Sequence, residues 1–465
     1  MTTANVIFDR ELLARCDRPG PRYTSYPTAP HFHSGFGADQ FRMHVRRSNE
    51  PPIPAPVSVY VHVPFCFSPC FYCGCNRIIT RDYGRAEAYL ARLYREIDLV
   101  APLVDRDRDV VQLHFGGGTP NFLESADLGE LIETIGRHFH FSSRADRDFS
   151  IEIDPRTVDP DAIRSLAGFG LNRASFGVQD FDPDVQRAVN RVQSVQQTRE
   201  VIDACREAGM RSVNVDLIYG LPKQTREGFA RTLDTVVGMR PDRLAVYSYA
   251  HLPEMFRGQT RIRAEDLPDP AAKLGLLELA VERLGAAGYV YIGMDHFALP
   301  GDELARAQHH GALHRNFMGY TTHADCDLIG MGVSAISRIG DAYAQNHKDL
   351  PHYQAALDAG ELPIARGLAL SADDIVRADL IDELMCNAAV DIVAFEDRHA
   401  IDFHDYFASS LAQVQPLVQD GLVTIEPGRI EATARGRLLL RIIAMCFDHY
   451  LEQPAAPVAR YSRAI

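Results

Sequence analysis

Between residues 57 and 300 the chain alternates short β-rich runs with stretches whose apolar residues recur at helical spacing. The runs Val57–Val63, Val110–Phe115, Phe149–Ile153, Arg173–Val178, Ser212–Ile218, Leu244–Tyr249 and Tyr289–Gly293 predict strands, and Glu87–Val104, Leu128–Phe139, Gln197–Ala208 and Arg226–Met239 predict the helices between them. Glycines stand where helix gives way to strand, at Gly170, Gly209 and Gly288, as helix ends require. About six strand-then-helix units imply parallel strands with right-handed crossovers, hence an open or closed α/β barrel; a doubly wound open sheet shares the pattern. From about residue 368 helices dominate: Ala372–Asn387, Ile401–Gln419, a strand pair Gly421–Glu426 and Arg429–Ala432, and a last helix Ala434–Leu451. The expected organisation is an N-terminal extension with a proline-rich linker (1–56), a catalytic barrel with its extension (57–367) and a small, mostly helical α+β domain (368–465).

At 465 residues the chain exceeds what one core supports, which agrees with this division. A net charge of -14 argues against nucleic acid as a partner, so an anionic substrate needs a local basic pocket. Met1-Thr2-Thr3-Ala4-Asn5 lacks the start of a signal peptide and no apolar stretch reaches membrane-spanning length, so a cytoplasmic protein with no membrane partner is expected. Of nine cysteines, Cys16, Cys205, Cys326, Cys386 and Cys446 are scattered and read mostly as core residues.

The remaining cysteines carry the chemistry. Cys66-Phe67-Ser68-Pro69-Cys70-Phe71-Tyr72-Cys73 follows directly on the first strand, and three thiolates on one loop can hold three irons of a [4Fe-4S] cluster with one iron open. A zinc knuckle is the alternative, but no second cysteine pair stands at suitable distance. Gly116-Gly117-Gly118-Thr119-Pro120 closes the second strand, where glycines let backbone amides approach a ligand, and the absent Lys-Ser/Thr ending excludes a phosphate loop. In Phe149-Ser150-Ile151-Glu152-Ile153-Asp154-Pro155 alternation turns Glu152 away from Ile151 and Ile153, toward a barrel interior. Asp216 repeats that placement and Gln179 ends its strand; structural pairing with Arg173 or Arg191 is the plainer reading of each. Pro21–Pro27 reads alone as an extended tether, and the segment from His314 to Ile336 as a binding loop or an irregular connection.

The Cys-x3-Cys-x2-Cys spacing resembles the radical S-adenosylmethionine superfamily. With Pro21–Pro27, the added Gly74-Cys75-Asn76, Gly116–Pro120, Gly177-Val178-Gln179-Asp180, Asp216–Pro222, Tyr249–Pro253 and Gly293–Phe297, the chain resembles the bacterial oxygen-independent coproporphyrinogen III oxidase family along essentially its whole length. The resemblance implies a partial (β/α)6 barrel and oxidative decarboxylation of two propionates of coproporphyrinogen III to vinyls. It implies a [4Fe-4S] cluster on Cys66, Cys70 and Cys73 and two molecules of S-adenosylmethionine. Tyr60, Gly117, Glu152 and Ile336 fall where the family contacts the cluster-bound cofactor; Tyr72, Gly118, Thr119, Gln179, Arg191, Asp216 and Ala250 fall at the second. Cys75 lies outside the ligating unit and is a candidate for a redox or proton-transfer role. Arg22, Arg77, Arg315 and Lys348 are candidates for the substrate carboxylates. A reductase and an electron acceptor are expected partners, and a monomer is the expected state. A haem chaperone, another tetrapyrrole-directed radical enzyme and an electron-transfer iron-sulfur protein are the rival readings; the first of these lacks Cys75 and the Pro-Arg-Tyr-Thr-Ser-Tyr-Pro run.

Overall fold

The structure, a computed structural model, describes residues 6–451 and 461–463, so the reading of Met1–Asn5 lies outside the described residues. Strand β1 (Val57–Val63) is buried at six of its seven positions, as befits a central strand of a parallel sheet covered on its outer face. Strands β2 (Asp109–Gly117), β3 (Asp148–Ile153), β4 (Arg173–Gln179), β5 (Ser212–Tyr219) and β6 (Arg243–Ser248) follow in sequence order, each parallel to its predecessor. Helices α1 (Gly84–Val100), α2 (Ser125–His138), α3 (Pro160–Gly168), α4 (Val195–Glu207), α5 (Arg226–Met239) and α6 (Pro270–Ala286) run between or after them. Their apolar faces join Val57, Val59, Val61, Leu113, Phe115, Ile151, Phe176 and Val215 in one core. Side-chain oxygens of Asp159, Ser194, Thr225 and Asp269 cap α3 to α6, which fixes where each loop ends. Gly170, Gly209 and Gly288 adopt positive φ after their helices, as the sequence implied.

The sheet does not close. Beyond β6 lie two antiparallel strands, β7 (Val290–Gly293) and β8 (His296–Ala298), with β8 against β6. On the other side β1 pairs in parallel with β9 (Asp327–Met331), followed by antiparallel β10 (Ile336–Ile339), β11 (Ala342–Asn346) and β12 (Ile364–Ala369). The barrel is therefore the open, partial kind. The run Tyr289–Gly293 is a strand as expected, at the edge of the sheet: left-handed Met294 and Asp295 (φ 41° and 75°) turn the chain back into antiparallel β8.

The C-terminal part departs further from the sequence pattern. The expected helix Ile401–Gln419 is a four-residue helix, Phe403–Tyr406, and then Ala408–Gln419, because Phe407 between them leaves helical geometry and buries its ring against Phe403, Phe395 and Phe447. The expected helix Ala434–Leu451 keeps only Leu440–Met445 as α-helix, with tight turns at Arg437–Leu439 and His449–Leu451. That segment is buried on all sides, and it is anchored by the Arg441 guanidinium on the Pro21 carbonyl (3.0 Å) and by Asp448 on the Tyr23 hydroxyl (2.9 Å). The same contacts show that Pro21–Pro27 is no tether. Tyr23 and Tyr26 share a core with Leu380, Leu384, Phe403 and Phe447, the first two from α7 (Ala372–Asn387). The hairpin His314–Asn316/Gly319–Thr321 turns inward, with Thr321 accepting from Gln112 of β2 (2.9 Å) and Gln112 bonded to Ser58 of β1 (2.8 Å). Among the described residues no helix is long and apolar enough to cross a membrane.

Candidate active site at the carboxyl ends of the strands

The cysteine loop leaves the carboxyl end of β1 and is clamped from three sides. The amides of Ile78 and Thr80 donate to the carbonyls of Pro64 (2.7 Å) and Cys66 (3.0 Å), the Phe71 amide to Val189 (2.9 Å), and Asn190 to Pro69 (2.7 Å). Buried Gln259 bridges the carbonyls of Tyr72 (3.0 Å) and Ala250 (3.2 Å), placing Ala250 beside Tyr72. Arg77 donates to the carbonyls of Cys70 and Cys73 (3.2 Å each) and so braces the loop, with its buried Nε left without a partner among the described residues.

Cys66 and Cys70 are buried, Cys73 half-buried and Cys75 exposed. The Cys66 sulfur meets the Thr119 hydroxyl at 3.3 Å, and burial pushes its thiol up to about 11. Cys75 stands against Cys73, its amide 3.4 Å from that sulfur; hydrogen bonding from Cys75 lowers the Cys73 thiol and raises that of Cys75. Arg191 and Arg156 direct guanidinium nitrogens at the Cys70 sulfur, at 3.4 and 3.8 Å. Cations aimed at a buried sulfur stabilise thiolate, the form that binds iron. Among the described residues no three His, Cys, Asp or Glu side chains converge to hold a single ion, whereas thiolates of a cluster each take a separate iron. The donor set thus fits a cluster on Cys66, Cys70 and Cys73.

The glycine strand end forms the next wall. Gly117 has φ 119°, and its amide donates to Glu152 (3.1 Å). A Cβ on Gly117 would fall 2.7 Å from the His62 ring, and one on Gly118 2.6 Å from the Pro64 carbonyl, so both positions exclude side chains. Tyr60 points inward from β1, its hydroxyl 3.0 Å from His62 and its ring stacked on His114, which stands 3.6 Å from Glu152. Burial lowers the His62 pKa and, with the Glu152 charge, raises that of Tyr60, so both are neutral. Gly330 of β9 lies opposite Tyr60 in register and a Cβ there would strike the Ile336 carbonyl, which brings Ile336 to this wall.

Arg191 ties the opposite wall together. Besides Cys70 it reaches Asp154 (3.2 and 3.3 Å) and the Gly177 carbonyl. Burial works to raise the Asp154 carboxyl, but Arg191 and Arg156 (2.6 Å) overcome it and hold the pKa below the ordinary value. Gln179 ends β4 at φ 69°, where the ladder to β5 shifts register, and its side chain crowds the Gly177 backbone. Asp216 accepts from Asn214 (2.8 Å) and Ser175 (3.2 Å); burial and the Glu152 charge raise it to about 7. Tyr72 packs with Leu221, Tyr249 and Ile262, its hydroxyl pushed far up by burial. The plainer reading of the inward polar residues fails in one respect: Arg173 pairs with Asp148 and Glu303 at the other end of its strand, and touches none of Glu152, Gln179 or Asp216. Sequence reasoning passed over Asp154 and Arg156, although the strand alternation ran up to them. It had no signal for His62 as a partner of Tyr60, nor for Gln259, which lies in a loop without period.

A cysteine loop after the first strand of an open β/α barrel, facing a glycine strand end and inward carboxylates, defines a radical S-adenosylmethionine protein. The Radical SAM superfamily model matches residues 60–236, and the HemN C-terminal domain model matches 370–439. The chain is 50% identical over 459 residues to the oxygen-independent coproporphyrinogen III oxidase of Pseudomonas aeruginosa, covering 98% of this chain and 99% of that protein. It is 48% identical to that of Escherichia coli over the full length of both. The solved structure of the Escherichia coli coproporphyrinogen III oxidase superposes with a TM-score of 0.91, over 96% of this chain and 100% of that one. The chain belongs to the family of oxygen-independent coproporphyrinogen III oxidases.

Proposed function

We propose that the protein converts coproporphyrinogen III to protoporphyrinogen IX, turning two propionates into vinyls with loss of carbon dioxide and without oxygen. The observation that carries this reading is full-length identity to coproporphyrinogen III oxidases joined to an intact three-cysteine loop with cations on Cys70. The cofactors are a [4Fe-4S] cluster on Cys66, Cys70 and Cys73 and two molecules of S-adenosylmethionine. When bound, the reduced cluster would supply one electron to the sulfonium and so a 5'-deoxyadenosyl radical able to take a hydrogen atom from the propionate β-carbon; loss of carbon dioxide then passes one further electron to the electron acceptor.

The chain's own residues hold and orient. Tyr60, Gly117, Glu152 and Ile336 form one wall and hold the first cofactor; Glu152 offers a carboxylate to an amino group beside Gly117. Tyr72, Gly118, Thr119, Gln179, Arg191, Asp216 and Ala250 form the second site. For the substrate carboxylates, Arg22 and Arg315 are retained: Arg22 is paired with Asp295 (2.8 Å) beneath Tyr247, and Arg315 lies over Tyr320 with its Nε buried and unpartnered among the described residues. Lys348 is exposed and contributes a backbone carbonyl to Asn76. Cys75 is proposed for proton or electron transfer at the edge of the site. The test is anaerobic reconstitution followed by assay of protoporphyrinogen and 5'-deoxyadenosine with and without coproporphyrinogen. A cluster and cofactor cleavage without decarboxylation would direct the reading to another substrate; retained stoichiometric haem would favour a chaperone.

A further inference from the structure

The chain as a whole is acidic, with 62 acidic residues against 48 basic. At the rim of the cysteine loop exposed arginines outnumber exposed acidic residues. Phe67 in the loop is exposed, and so are Ile79, Val192 (66%) and Met255 (56%) in the three segments clamped to it. Ile79 follows the residue that pairs with Phe65, Val192 follows the Val189 and Asn190 contacts, and Met255 precedes Phe256, whose ring lies 3.1 Å from where a Cβ on Gly74 would stand. Interleaved with these apolar side chains are exposed Arg81, Arg257 and Arg261, the last over the ring of Phe71 at 5.7 Å. None of the three is paired with a carboxylate among the described residues; the same segments carry two exposed acidic residues, Asp82 and Glu254, the first accepting from the Gly84 amide (3.1 Å). Apolar residues rimmed by arginine are the composition of a protein interface. A positive rim on a negative protein selects an acidic partner and steers its approach.

We propose that this collar is the docking surface of an acidic one-electron carrier protein, which delivers the electron through the outer face of the cysteine loop. The inference rests on the cluster reading above. The electron count is closed: the carrier is oxidised by one electron, the cluster is reduced by one, and that electron is the one consumed in each cofactor cleavage. Cys66 and Cys70 are buried, whereas Cys73 is half-buried, Cys75 exposed and Phe67 between the first two cysteines exposed, so the loop itself is open to a protein docked on its rim.

The reconstituted holoenzyme should be reduced anaerobically by photoreduced flavodoxin, an acidic carrier, and separately by the photogenerated 5-deazariboflavin radical, a small neutral donor. In the variant Arg81→Glu/Arg257→Glu/Arg261→Glu the second-order rate with flavodoxin should fall at least ten-fold at low salt, and the deficit should shrink as salt is added. The deazaflavin rate should be unchanged. Val192→Ser/Met255→Ser, which alters no charge, should slow flavodoxin while leaving its salt dependence as in the native enzyme. A flavodoxin rate within two-fold of native in both variants, with deazaflavin reduction intact, would overturn the docking surface alone. A native holoenzyme in which neither donor reduces a cluster would overturn the cluster reading and this one with it.

Discussion

Glu96 offers a measurable consequence of how the site is braced. It lies on α1, 1% exposed, and its carboxyl accepts from the Tyr353 hydroxyl (2.6 Å), the Asn346 side chain (2.6 Å) and the Gly332 amide (2.8 Å). Two helical turns earlier, Tyr89 donates to the His62 carbonyl (2.7 Å) and accepts from the Val333 amide (3.1 Å). Together they fix the turn between β9 and β10, hence Ile336, against the end of β1. Burial outweighs the three donors and raises the Glu96 carboxyl from 4.5 to about 7. A raised folded-state pKa means that the native protein holds the proton more tightly than the unfolded chain. The stabilisation is therefore full below pH 4.5 and is lost as pH rises through 7. Between pH 5.5 and 8 the loss is about 2 kcal/mol from this group. Glu96→Gln keeps the shape and an acceptor but cannot titrate, so its stability should fall by about 2 kcal/mol less over that range. Asp216, also moved to about 7, titrates in both proteins and cancels. Unfolding by denaturant at the two pH values, native against variant, measures the difference. Equal pH dependence within roughly 0.5 kcal/mol would refute the claim that Glu96 takes up a proton in this window.

Arg191→Leu should fold but release its iron to a chelator much faster than the native holoenzyme, because it strips the cation from Cys70 and leaves Asp154 with Arg156 alone; iron release kinetics measure it, and native-like retention would remove Arg191 from cluster support. Cys75→Ser should keep the cluster absorbance while losing decarboxylation; full turnover would end any chemical role for this thiol. Arg22→Ala should raise the KM for coproporphyrinogen and leave 5'-deoxyadenosine formation without substrate unchanged, whereas equal loss of both would contradict a substrate role.

The barrel was legible because parallel strands repeat one environment: each of β1 to β6 has an apolar outer face on helices, and that periodicity is local. The cysteine loop and the glycine strand end were legible because their chemistry sits on consecutive residues. What stayed hidden was assembled over long range. Gln259 joins the cysteine loop to the segment after β6 across 187 residues, and Glu96 reaches Tyr353 across 257, neither foreshadowed by any local pattern. The broken C-terminal helices failed for the opposite reason. Leu440, Ile442, Ile443 and Ala444 are all buried, so their apolarity has no facing to read, and contact with residues 20–26 decides where the helix stops.

The Arg191–Asp154 pair shows what kind of energy shapes this site. A buried ion pair contributes little net stability, since desolvation offsets the attraction between its charges. Breaking one is costly, so the pair's geometry is strongly held once formed. Here that geometry spans the cysteine loop through Cys70, the end of β3 through Asp154 and the end of β4 through the Gly177 carbonyl. One planar guanidinium thus fixes three strand ends relative to each other, which a set of apolar contacts could do only with looser angular control. Its fixed charge also lies against the sulfur of a proposed iron ligand, where it lowers the cost of holding a thiolate away from water. The pair's place in the fold is explained by the position and charge it gives the cluster loop rather than by stability.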